Sequence, residues 1–184
     1  MMKKAPDLSQ SRWRDRQERF AAIFEAYHRH VLTYAMRRSI SGADAQDIAA
    51  LVFEVLWQKL DTLSSDMEPL PWLYGVARCC LANHRRRLLT QERYRGALNH
   101  EATLREQATP DESGDEEAQA IRHALSQLAP TDQEVLRLSA WEELSHAQIG
   151  SALSISENAV SIRIHRARKR LGEKLGDSFS SQET

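Results

Sequence analysis

Residues 145–171 read SHAQIGSALSISENAVSIRIHRARKRL, and the C-terminal half owes its predicted architecture to them. Ser145 and Gln148 have the spacing of a capping box, in which side chains of the first turn bond the free amide groups of a helix. The tripeptide at 154–156 interrupts the helical pattern, and Ser156 is a suitable N-cap for a second helix. Two helices joined by so short a turn predict a helix-turn-helix.

The second helix of this motif has two different sides. Its apolar stripe consists of Ala159, Val160, Ile164, Ala167 and Leu171. In a helix-turn-helix the polar side of the second helix enters the major groove, so its hydrogen-bonding side chains are candidate base contacts. The six basic residues of 163–174 are opposed only by Glu173, which suits contact with DNA phosphates.

The residues before this motif predict two further helices. Ile121, Leu125 and Leu128 begin a helix that must end before Pro130. Thr131 to Glu134 has the spacing of another capping box, which predicts a helix from there to about Trp141. The C-terminal half is therefore expected to be a small helical domain.

The N-terminal half predicts three amphipathic helices that close one core. Apolar residues recur at helical spacing in three segments, with a helix break at 41–42 and a turn-rich loop at 62–71. The three stripes are Phe20, Ile23, Phe24, Tyr27, Val31 and Tyr34, then Ile48, Leu51, Val52, Val55, Leu56 and Leu60, then Leu73, Val76, Ala77, Cys80, Leu81, His84 and Leu88. Between the halves, residues 109–115 carry acid and turn formers with little to bury, so we expect a flexible acidic linker.

Composition excludes several classes of protein. No apolar run approaches the roughly 20 residues that cross a bilayer, and no secretory signal is present, so we expect a cytoplasmic protein without membrane insertion. Cys79 and Cys80 are expected to be small buried hydrophobes, and a metal site on Cys80 and His84 lacks further ligands. We expect no cofactor, metal or catalytic residue.

The net charge of −1 conceals basic clusters at 78–95 and 163–174, which are typical of nucleic-acid binding.

Two sets of motifs resemble the extracytoplasmic-function sigma factors, which belong to the sigma-70 family. The first set is FEAY (24–27), AQDI (45–48), PWLYGVAR (71–78) and ANHRR (82–86), and the second is EVLRL (134–138), LSHAQI (144–149) and AVSIRIHRAR (159–168). The resemblance implies an all-α protein of two domains, region 2 at 15–95 and region 4 at 118–175, with the linker at 96–117. It also implies that core RNA polymerase, promoter DNA and an anti-sigma factor are partners.

The resemblance implies roles for individual residues at the two promoter elements. At the −35 element the predicted contacts are Asn158, Ser161, Ile162, Arg163, His165, Arg166, Arg168 and Lys169. Arg163 and Arg168 are better suited to phosphates or salt bridges than to bases. The loop at 62–70 and the next helix resemble the part that reads and melts the −10 element, with Met67, Trp72, Arg78, Asn83, Arg85 and Arg86 as predicted contacts.

The resemblance also places polymerase docking on the second helix, through Asp47, Phe53 and Trp57. Phe53 and Trp57 fit the core at least as well as a contact, and we favour the core for both, as we do for Trp72. Ala50-Leu51 departs from the usual pattern of this helix, Cys79 stands where the family often has Asn, and Ser154 replaces the usual turn glycine.

Two other classes of protein remain to be weighed. A stand-alone helix-turn-helix regulator would explain residues 131–172 but not the N-terminal helices with their Trp-Leu-Tyr motif. A helical enzyme built on Cys80, His84 or the acidic cluster has no recognisable nucleophile, base or phosphate loop.

Overall fold

A computed structural model describes residues 8–39, 41–64, 66–98 and 116–180. Within these ranges the chain forms seven α-helices and one short 3-10 helix, and no strand. The chain divides into two compact units, residues 1–106 and 107–184. The all-α fold with two helical domains is confirmed.

The first unit is built from three helices, as expected. These are α1 (Leu8–Met36), α2 (Gly42–Lys59), which continues into the 3-10 helix Leu60–Thr62, and α3 (Pro69–Leu98). Ser41 caps α2, because its hydroxyl accepts a hydrogen bond from the Asp44 N–H. α1, α2 and α3 all pack against one another.

The core of this unit is apolar and contains a stacked pair of tyrosines. Tyr34 and Tyr74 are buried with ring centroids 4.8 Å apart, and the Arg38 guanidinium lies 3.7 Å from the Tyr34 ring centroid. The other buried core residues are Val31, Ala35, Ala45, Ile48, Ala49, Val52, Phe53, Leu56, Leu60, Leu73, Ala77 and Leu81. Leu51 and Phe24, which were expected on buried stripes, are instead 41% and 39% exposed.

The cysteines differ from the expectation. Cys79 is exposed and Cys80 is half-buried, so the prediction that both are buried hydrophobes is wrong. Neighbouring residues of a helix point about 100° apart, so only one of the two can face the core. Burial, and to a lesser degree the neighbouring Cys79, raises the pKa of the Cys80 thiol.

The second unit contains four helices. They are α4 (Glu116–Ser126), α5 (Pro130–Ala140), α6 (His146–Leu153) and α7 (Glu157–Ser180). α7 packs against the other three. The core residues are Ala124, Leu128, Val135, Leu136, Leu138, Leu144, Ile149, Ala152, Val160, Ile164 and Ala167.

The start of α5 corrects one prediction. The helix begins at Pro130, with Ala129 as N-cap and no capping side chain, so the capping box expected at Thr131 to Glu134 is wrong. Proline suits the first helical position because its fixed φ is helical and its missing N–H needs no partner there. Pro130 therefore starts the helix one residue before Thr131.

Both ends of the expected linker at 96–117 are helical where the structure describes them. α3 continues to Leu98 and α4 begins at Glu116, so residues 96–98 and 116–117 are helical. Gln, Glu and Arg at 91–93 are good helix formers, which helps α3 to continue. Residues 99–115, the remainder of the expected linker, lie outside the described residues.

Candidate promoter-recognition and polymerase-binding surfaces

The helix-turn-helix is formed by α6 and α7. Ser145 and Gln148 make the predicted capping box, because the Gln148 N–H donates to the Ser145 hydroxyl at 3.2 Å and the Ser145 N–H donates to the Gln148 amide oxygen at 2.8 Å. Ser156 caps α7 as expected, since its hydroxyl accepts from the Ala159 N–H at 3.2 Å. Both helix starts are therefore confirmed.

Two residues determine the geometry of the turn between these helices: Ser154 in the turn and Gly150 in α6. Ser154 adopts a left-handed conformation, with φ 56° and ψ 44°. The Ile155 N–H donates to the Gly150 carbonyl at 3.0 Å, so the chain folds back onto α6. A Cβ at Gly150 would lie 2.7 Å from the Ile155 carbonyl oxygen, so only glycine fits at this position without a shift.

α7 presents a polar face on the side away from its buried stripe. Asn158, Ile162, His165 and Lys169 recur at three- and four-residue steps and are all exposed, with Ile162 43% exposed. Arg166 and Arg168 are exposed on the flanks of this face. The structure thus brings most of the predicted −35 residues to one accessible surface.

Two residues of the predicted −35 set have partners within the domain. Arg163 Nη1 lies 3.0 Å from Asp132 Oδ1, and Arg170 Nη1 lies 3.4 Å from Asp132 Oδ2. Ser161 Oγ lies 2.9 Å from His146 Nδ1 and donates to the Glu157 carbonyl. Arg163 therefore forms one of the salt bridges that the sequence suggested, while its partner Asp132 was not predicted.

Met67 precedes α3, and the other predicted −10 residues divide between two sides of this helix. Trp72, Asn83 and Arg86 are separated by whole helical turns and share one face with Cys79, whereas Arg78 and Arg85 share another. Arg78, Asn83, Arg85 and Arg86 are exposed, and Met67 and Trp72 are half-buried. Arg85 donates to the Arg38 carbonyl at 3.0 Å, which ties α3 to the end of α1.

The predicted docking residues on α2 differ in exposure. Asp47 is exposed, on the same side of the helix as Leu51 and Glu54. Phe53 is only 4% exposed, which confirms the core position that we favoured for it. Trp57 is half-buried, and its ring stacks on Trp13 with centroids 5.6 Å apart.

Among the described residues no group of three or more His, Cys, Asp or Glu side chains could hold a metal ion. None of the helices in the described ranges is long and apolar enough to span a bilayer.

Comparison with known proteins identifies the family. Residues 23–106 match "Sigma-70 region 2" and residues 118–171 match "Sigma-70, region 4", so the two matches together cover most of the chain. The chain belongs to the sigma-70 family of transcription initiation factors, a family not known for enzymes.

Curated relatives refine this assignment. The chain is 29% identical over 169 residues to "RNA polymerase sigma factor CarQ" of Myxococcus xanthus, covering 90% of this chain and 95% of CarQ. It is 29% identical over 154 residues to "ECF RNA polymerase sigma factor SigL" of Mycobacterium tuberculosis, covering 82% of this chain and 85% of SigL. This chain is a sigma factor of the extracytoplasmic-function type, which directs RNA polymerase to specific promoters.

Solved structures share the fold. CnrH, solved in complex with the cytosolic domain of CnrY, aligns with a TM-score of 0.60 at 22% identity, over 88% of this chain and 90% of CnrH. The sigma factor RpoE of Bartonella quintana, solved with the anti-sigma factor NepR, aligns with a TM-score of 0.57 at 20% identity, over 86% of this chain and 98% of RpoE. A stand-alone regulator is not favoured, because the region 2 match accounts for the N-terminal helices.

Proposed function

We propose that the polar face of α7 reads the −35 element. The observation that supports this most directly is the exposure of Asn158, Ile162 and His165 on the side of α7 opposite its core stripe. These residues lie near the N-terminus of the second helix, which is the part that approaches base edges in a helix-turn-helix. Arg166 follows on the flank of this face and suits bidentate contact with guanine.

The cations of α7 divide into two groups in this proposal. Arg168 and Lys169 are exposed and supply phosphate contacts, which position the helix without reading sequence. Arg163 is held by Asp132, so its contact with DNA would compete with that salt bridge. Its main contribution is then to fix α7 on α5, and any phosphate contact comes second.

A pair of substitutions tests this division. Arg166→Ala is expected to weaken binding to a matched −35 site by about 1 to 3 kcal/mol more than binding to a scrambled site. Lys169→Ala should weaken both sites alike and reduce the salt dependence of binding. The measurement is holoenzyme binding to both promoters by competition gel shift. Equal losses on the two sites for Arg166→Ala would contradict a base-reading role.

For the −10 element we propose that the loop at 62–70, with Met67, and the face of α3 with Trp72, Asn83 and Arg86 read the bases and hold the melted strand. An unpaired base needs an apolar or aromatic wall and the strand needs nearby cations, both of which are present there. Arg78 and Arg85 lie on another side of α3 and suit a separate phosphate contact. Asn83→Ala should reduce open-complex formation without changing −35 binding.

Polymerase docking, cellular location and regulation are proposed from the family. We propose that the exposed side of α2, with Asp47, docks on core polymerase, and that Trp57 contributes through its exposed edge. We also propose that the protein acts in the cytoplasm, has no catalytic activity of its own, and is held by an anti-sigma factor. The complex of Bartonella quintana RpoE with NepR supports the last point.

A further inference from the structure

The N-terminal part of α1 contacts the loop that we propose to read the −10 element. Arg19 Nη1 donates to the Leu60 carbonyl at 3.2 Å, and Arg19 Nη2 donates to the carbonyls of Leu63 at 3.0 Å and Ser64 at 3.1 Å. These contacts join residues 41 to 45 positions apart in the chain. One guanidinium therefore joins the first residue of the 3-10 helix to the start of the loop.

The Leu60 carbonyl lies in the last turn of this helical segment, where a helix leaves its carbonyls without intrahelical partners. Leu60 is still helical, whereas Leu63 is extended, with φ −81° and ψ 128°, so the chain changes direction between them. The planar guanidinium presents its donors to several carbonyls in a fixed fork, whereas the three donors of an ammonium group rotate freely. Arg19 consequently fixes the direction in which the loop leaves the helix.

The contact continues to a predicted −10 residue through one shared acceptor. The Ser64 carbonyl accepts a hydrogen bond from the Met67 N–H at 3.3 Å as well as from Arg19. The Ser64 hydroxyl also accepts from the Asp66 N–H at 3.3 Å. Arg19 thus anchors the turn that carries Met67.

Arg16, one helical turn earlier, holds the preceding segment. Its Nη1 lies 3.1 Å from Asp61 Oδ2, its Nη2 donates to the Trp57 carbonyl at 2.6 Å, and its guanidinium lies 4.4 Å from the Trp57 ring centroid. Both arginines precede residue 23, where the region 2 match begins. Neither arginine therefore lies within the residues that match the family model.

We infer that Arg19, supported by Arg16, is a positioning residue for −10 recognition. Through the carbonyls of Leu63 and Ser64 it holds the start of the loop at 62–70, and with it Met67, in the geometry that discriminates between bases. This inference rests on the proposed role of the loop. It assigns Arg19 an effect on base preference at −10 that a general stabilising residue would not have.

The test compares four variants in transcription with core RNA polymerase. The variants are Arg19→Gln, Arg19→Lys, Met67→Ala and the control Arg14→Gln, which removes the same charge from an exposed position of α1. The template is a promoter selected by the wild-type holoenzyme from a random library, with single-base changes in either element. Affinity for core polymerase and thermal unfolding are measured alongside.

For Arg19→Gln we expect the discrimination between preferred and changed −10 bases to fall about fivefold or more, as for the loss of one base-specific contact. Discrimination at −35 and affinity for core should stay within about twofold, a range that corresponds to only a few tenths of a kcal/mol. Arg14→Gln should match the wild type throughout. Arg19→Lys keeps the charge but loses the planar fork, so it should lose −10 discrimination as well, and it decides the question if Arg19→Gln does not fold.

Other outcomes would overturn the inference in different ways. If Met67→Ala alters −10 discrimination but both Arg19 variants do not, the loop reads DNA and Arg19 does not position it. If none of these variants alters −10 discrimination, the proposed role of the loop fails together with the inference. Equal losses at −10 and −35 in the Arg19 variants would show a merely structural role.

Discussion

Replacing Gly150 with alanine tests the account of the helix-turn-helix most sharply. In an ordinary helix this change is favourable by about 1 kcal/mol, because alanine is the better helix former. Here the new Cβ would lie 2.7 Å from the Ile155 carbonyl oxygen, whereas ordinary contacts begin at 3.4 Å. The backbone of the turn must therefore move by about 0.7 Å, the difference between these two distances.

The size of the effect follows from what must move. The contacting atom belongs to the backbone, so no side-chain rotation relieves the clash. The Ile155 N–H also donates a hydrogen bond to the Gly150 carbonyl, so a shift of this residue would strain that bond. Overpacking of this kind costs about 1 to 3 kcal/mol, and we take the upper end because backbone must shift. After the helix-propensity gain, a net loss of about 2 kcal/mol remains, or about 10 °C in the melting temperature of so small a domain.

Gly172 supplies the matched control. It lies within α7, and a Cβ there would meet nothing within 4 Å, so Gly172→Ala should stabilise by about 0.5 to 1 kcal/mol. Calorimetry of the full chain measures both variants, and hydrogen exchange of peptides from 145–171 assigns the change to this domain. Gly150→Ala should also weaken −35 binding. A Gly150→Ala protein as stable as the wild type or more so would refute the reasoning.

Three further predictions follow from single side chains. Ser154→Gly should raise the free energy of unfolding in urea by about 1 kcal/mol, because Ser154 is left-handed. Ser151→Gly, inside α6, should lower it by about 0.5 kcal/mol, and the same sign for both would contradict this prediction. Asp132→Ala should lower the free energy of unfolding by about 1 to 2 kcal/mol, because Arg163 and Arg170 lose their buried carboxylate partner. An unchanged free energy of unfolding would show that these two salt bridges contribute nothing to stability. Cys79 should react with iodoacetamide before Cys80 at neutral pH, because Cys79 is exposed and burial raises the pKa of the Cys80 thiol; peptide mass spectrometry would contradict this if Cys80 were labelled first.

The parts of the fold that depend on near neighbours in the chain were predictable. The Ser145 capping box and the Ser156 N-cap are fixed by residues three positions apart, so the sequence pattern indicated both correctly. The same spacing at Thr131 gave a wrong prediction of the helix start, because Pro130 begins α5 one residue earlier. A capping pattern predicts a helix start only when no adjacent residue makes a better one.

The parts that depend on distant residues were not predictable. Asp132 pairs with Arg163 across 31 positions, and Arg19 reaches the loop across more than 40, so no local pattern records either contact. The exact rotation of each helix decides which side chains face the core. In α3 and α2 this rotation leaves Cys79 and Leu51 exposed. The roles of individual residues at the promoter came from the family resemblance, and they remain predictions.

Permanganate footprinting of unpaired thymines near −10 shows whether this protein opens promoters only together with core polymerase. One small helix-turn-helix makes few DNA contacts, while each disrupted stacking step costs roughly 1.4 kcal/mol, so the protein alone should not open a promoter. In our proposal core polymerase adds contacts to the separated strands and fixes both domains on their elements. We predict reactivity with this protein and core polymerase together and none with either alone. Tight, site-specific duplex binding by the isolated protein, with no reactive thymines in the mixture, would contradict the account.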